Sequence, residues 1–213
     1  MRTVRALKRC HDRQRGYALV SLLAFMSLLA LFALAVAPRV QQQTQREWEK
    51  EALFRGDQVA EAIRVYYRSR GAQGVNALPT SMDQLLEGVQ IPGRTKRLQI
   101  LRQSAARDPL SPDGEWRLIG PTSQDFRGFV QSLTLYSGGA QPVPRQEFSG
   151  LASLIPRMSN VLDVAPAPTS GGASSLDASG PFIGVASGSQ RDSVISFFGI
   201  ERHDQWIFTP MFR

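Results

Sequence analysis

The chain has 213 residues, 42% of them hydrophobic, and a formal charge of +7 at pH 7 from 25 Lys/Arg against 18 Asp/Glu. Residues 1–16 hold six of the bases and one acid, which leaves 19 Lys/Arg against 17 Asp/Glu, a net of +2, and excludes a basic body built for nucleic acid. Cys10 is the single cysteine and His11 and His203 are the only histidines, so a disulfide framework and cysteine-metal chemistry are excluded as well.

Taken in chain order, the first element is a basic stretch that ends in Arg15-Gly16 and meets an apolar run directly. Tyr17 to Ala37 is 21 residues without a charge. As a helix it is roughly 31 Å long, enough to cross a bilayer core. A secretory signal carries its cleavage site after the apolar stretch. Here the processing signal, Gly16, stands before it. The charge ahead of the run predicts a cytoplasmic N-terminus and an exported C-terminal part.

Pro38 is expected to kink the helix rather than end it. Beyond it Trp48, Ala52, Val59, Ile63 and Tyr66 recur on one face of a 3.6-residue period, and Glu51 and Arg55 stand four apart, acid first. Gly71 and Gly74 supply the stop. The spacing therefore predicts one helix of about 54 residues, roughly 80 Å long if straight, apolar in its first half and amphipathic in its second. Gly56 is a weak point within it, at about 1 kcal/mol relative to Ala.

Leu78 to Leu86 reads as a short helix capped by Thr80 or Ser81, with Leu85 and Leu86 turned inward. Pro92-Gly93 is a turn, and residues 107–114 form a double turn ahead of a strand over 115–119. Arg94, Lys96, Arg97, Arg102 and Arg107 have no interleaved aromatics and read as solvated surface. Residues 126–136 are assigned to a further strand. Residues 137–180 have loop composition, with a short helix at 151–164. Strands at 181–187, 193–198 and 205–209, joined by turn-length segments, predict an antiparallel meander, and Trp116 and Trp206 are placed in the core.

Catalysis has little to build on. No nucleophile elbow, glycine-rich phosphate loop or zinc helix motif is present. A triad would have to combine His203 with Asp204 or Asp192 and a serine such as Ser193, and His203-Asp204 reads as a solvent-exposed loop pair. No catalytic, cofactor-binding or metal-ligating residue is assigned.

Three stretches give the chain a resemblance to a known family. They are Arg15-Gly16-Tyr17-Ala18-Leu19-Val20 with Pro38; Asp108-Pro109-Leu110 running into Gly114-Glu115-Trp116-Arg117-Leu118; and Gly180 to Ser187 continuing through Gln205-Trp206-Ile207-Phe208. The first resembles type IV pilin-like precursors, and together they resemble the pseudopilins of type II secretion systems, in particular the major pseudopilin. The resemblance implies an α+β fold, a long N-terminal helix packed on a small antiparallel sheet. It implies a leader at 1–16, a transmembrane half-helix at 17–37, an amphipathic half at 38–71 and a periplasmic domain at 72–213 with a flexible loop at 137–180. It also implies cleavage after Gly16 by a prepilin peptidase and methylation of the new N-terminus at Tyr17. Anchoring is in inner-membrane lipid, and an assembly platform and a cytoplasmic ATPase draw the subunits, with other pseudopilins, into a helical filament that supports protein export.

Ser21 departs from the pattern, because the family has a glutamate as the fifth mature residue, the partner of a neighbour's N-terminal ammonium. Three readings stay open: a minor pseudopilin, a divergent main subunit, or a subunit that remains in the membrane. Some family members bind calcium in a C-terminal loop, and Asp192, Glu201 and Asp204 fall in that region without the spacing of an oxygen cage. The alternative functions are a minor pilin of a type IV pilus and a signal-anchored periplasmic binding module.

Overall fold

The computed structural model describes residues 4–71, 74–90, 93, 96–155 and 180–212, with side chains for 17–33 and from 41 onward. The chain divides into two compact units, Met1–Gln45 and Arg46–Arg213. Helix α1, Val4–Arg70, supplies the first unit and the opening of the second.

In the first unit α1 begins earlier than Tyr17 and runs on past Pro38. Arg, Ala, Leu and Lys, which dominate residues 4–9, are all good helix formers, and the helix carries on through Gly16 although glycine disfavours it. Side chains 17–33 are all exposed. Among the described residues no helix is long and apolar enough to cross a membrane. The apolar run of the sequence continues through 34–37, whose side chains lie outside the described set.

The second unit is an α+β domain. From Arg46 to Arg70, α1 buries Glu49, Ala52, Gly56, Val59, Ala60, Ile63, Tyr66 and Tyr67, a face with the expected period. Trp48 does not belong to it. It is 52% exposed, and the stripe starts one residue later, at Glu49. The helix stops at Gly71, whose φ of +60° provides the left-handed residue that releases the chain.

Helix α2 (Met82–Glu87) is the short helix expected there. Ser81 sits at its N-cap without a side-chain bond, and Thr80 and Gln84 instead bond each other reciprocally. Leu85 is buried and Leu86 partly so. Strand β1 (Arg117–Ile119) follows the double turn.

The segment expected to be a strand at 126–136 is a helix, α3 (Gln124–Tyr136). Its N-cap is Ser123, whose hydroxyl accepts from the Phe126 N–H at 3.2 Å, and Phe126, Phe129, Val130 and Leu133 lie at the i, i+3, i+4 and i+7 positions of one packed face. Capping and a helical apolar period outweigh the β-forming composition. The loop region contains a 3-10 stretch, Gln146–Leu154, and the remainder of the expected 151–164 helix lies outside the described residues.

The C-terminal strands are β2 (Gly184–Ala186), β3 (Asp192–Phe197), β4 (Ile200–Arg202) and β5 (Ile207–Phe208). They do not form a simple meander. β2 pairs antiparallel with both β1 and β5, and β3 pairs with β4 in a separate hairpin inserted between β2 and β5. The segment expected to be a turn between the last two strands holds β4 and a 3-10 turn at His203–Gln205.

Trp116 and Trp206 are both core residues, with indole N–H groups that donate to Ala105 O (2.9 Å) and Ile200 O (3.1 Å). Trp116 meets Phe208 edge-on, and Phe208 in turn lies against α1 at Gly56. A Cβ at Gly56 would stand 2.3 Å from the Phe208 ring. The glycine that looks like a helix defect is the notch that seats β5.

Gly56→Ala should therefore lower stability by about 1–3 kcal/mol, the usual cost of overpacking, although alanine is the better helix former. Trp206→Ala should cost about 3–5 kcal/mol. Thermal unfolding of the full chain in detergent, followed by tryptophan fluorescence for Gly56→Ala and by circular dichroism for both, checks the two values. An unchanged melting temperature for Gly56→Ala would contradict the notch.

Candidate functional site: the N-terminal junction and a buried polar network

Residues 1–16, Gly16 included, lie outside the set described beyond the backbone, as does Pro38. Tyr17 is 80% exposed at the head of the apolar stretch. Between Tyr17 and Ala33 the only other polar side chains are Ser21 and Ser27. The Ser21 hydroxyl donates to Ala18 O at 2.9 Å and that of Ser27 to Leu23 O at 2.8 Å. Each spends its hydrogen on a carbonyl of its own helix, three or four residues back. Ser21 is thus a small, neutral, internally bonded group.

The second unit carries a feature absent from the sequence-based expectations. Glu49 is fully buried. Its Oε1 accepts from the Val194 N–H (2.8 Å) and its Oε2 from the Ile195 N–H (2.8 Å). In a regular strand successive N–H groups point to opposite sides. Two adjacent ones can reach a single carboxylate only where the strand is irregular, and the β3–β4 register is shifted between Asp192 and Phe197.

Oε1 also receives His203 Nε2 at 3.0 Å. A carboxylate only accepts, so Nε2 carries the hydrogen. His203 Nδ1 faces the Ser189 hydroxyl at 3.5 Å, the longest link of the set. The Ser189 N–H donates to Ser187 Oγ (3.1 Å), and the Ser187 hydroxyl donates to Asp108 Oδ2 at 2.7 Å. Asp108 also accepts from the Gly188 N–H (3.1 Å) and, on Oδ1, from the Leu110 N–H (2.9 Å). A polar chain thus runs from the 107–114 turn through the β2–β3 connection to α1. It includes Asp108, Ser187, Ser189, His203 and Glu49, all 6% exposed or less.

His203 is accordingly not a solvent-exposed partner of Asp204. It is 2% exposed, and Asp204 pairs with Arg202 at 2.9 Å. Ser193, the serine considered for a triad, donates to Glu201 O instead. The order Ser189–His203–Glu49 has triad chemistry, but the serine is buried and its contact to the imidazole is long. A surface hollow lined by Gln58, Glu61, Gln99, Ile100, Leu101 and Arg102 contains none of the network residues. Among the described residues no cluster of His, Cys, Asp or Glu is arranged to hold a metal, Asp192, Glu201 and Asp204 included.

The network joins two of the stretches that carry the resemblance. Asp108 opens one and Ser187 lies within the other, 79 residues apart, and their side chains meet at 2.7 Å. No protein-family model matches the chain, and neither the curated proteins nor the solved structures give a match.

Two acidic neighbours on α1 separate the clamp from ordinary surface pairing. Glu49→Ala leaves two buried N–H groups and an imidazole without their carboxylate, and should cost about 3–5 kcal/mol. Glu51→Ala removes a part-exposed pair with Arg55 (2.7 Å) and should cost less than about 1 kcal/mol. Unfolding of the two variants side by side checks the contrast, and equal losses would contradict it.

Proposed function

We propose that the chain is a pseudopilin-like structural subunit of a type II secretion system. Prepilin peptidase cleaves it after Gly16 and methylates Tyr17. The apolar half of α1 holds it in the inner membrane, through the full 21-residue run of the sequence. Its C-terminal domain lies in the periplasm, and the subunit joins other pseudopilins in a short filament that supports protein export. It acts by assembly and not by catalysis.

The observation that carries this reading is the junction. Net positive charge ends at Arg15-Gly16 and gives way at once to residues 17–33 of α1, whose side chains are exposed, almost all apolar and without a spare polar hydrogen at Ser21 or Ser27. Such a surface suits lipid or the interior of a helical bundle. An amphipathic continuation packed on a small antiparallel sheet is compatible with a pilin-like subunit.

Ser21 favours a minor subunit within that system. A neutral hydroxyl bonded to Ala18 O brings no countercharge for the ammonium of a neighbouring copy, so the chain is suited to a place where that pairing is not repeated.

Mass and gel mobility with and without the peptidase test the reading. The mature protein should begin at a methylated Tyr17, and Gly16→Val should leave the precursor uncut. A reporter active only in the periplasm should work when fused after Arg213. A mature protein that keeps residues 1–16 in the presence of the peptidase would end the proposal. Ser21→Glu should increase the sheared filaments recovered from cells that overproduce the protein. Abundant filaments from the natural sequence, with no gain from the change, would favour a divergent main subunit.

A further inference from the structure

We draw no further inference here: the strongest candidate, the exposed aromatic patch where Phe198, in the turn between β3 and β4, meets Tyr136 edge-on at the end of α3, carries nothing because nothing in the structure shows what covers it.

Discussion

A carboxylate enclosed among apolar side chains has to be supplied with donors, and much of the domain's C-terminal third is arranged to supply them to Glu49. The irregularity in β3 brings two adjacent N–H groups to one side. The 3-10 turn after β4 carries His203 inward to add a third donor. At the other end of the polar chain Asp108 makes the same demand of Leu110, Ser187 and Gly188. The two anions fix the backbone where strands are too short to fix themselves, since β1, β2, β4 and β5 have three residues or fewer. Hairpins of this size are marginal alone.

The apolar packing complements the clamp. Phe208 presses on the Gly56 notch, Trp116 closes over Phe208, and Tyr67 meets Phe148 at 4.8 Å between ring centroids. Arg64 reaches Glu147 at 2.9 Å beside that contact. Helix, sheet and the 3-10 stretch are thus joined by a few large rings set against small residues, with the polar chain running through them.

Much of this was legible in the sequence. The period of Ala52, Val59, Ile63 and Tyr66 gave the buried face of α1, and the two tryptophans next to turn residues marked the core. The phase at the start of the stripe was not legible, because Trp48 outweighs Glu49 on any hydrophobic count. A charge at a stripe position was the available signal. The strand expected at 126–136 came from its Phe, Val, Thr and Tyr content. Ser123 ahead of Phe126, Phe129, Val130 and Leu133 was the helix signature in competition with it. The buried His203 depends on a partner more than 150 residues earlier in the chain, and no local pattern reports such a contact. Gly56 looks like a cost in the sequence because the ring that fills its notch is equally remote.

The same remoteness sets a timetable. Glu49 and His203 are 154 residues apart, and the strand donors are 145 and 146 residues from the carboxylate. Chains are made from the N-terminus at about 5–20 residues per second, so α1 waits roughly 6–28 s after its own synthesis for the segment that covers it. During that interval the face from Ala52 to Tyr67 has neither its sheet nor its clamp, and contacts of such span form slowly in any case. The long helix is therefore the first part of the domain to be made and the last to be buried. Any factor that shields apolar helix surface during synthesis has its natural point of action here, before the final residues arrive.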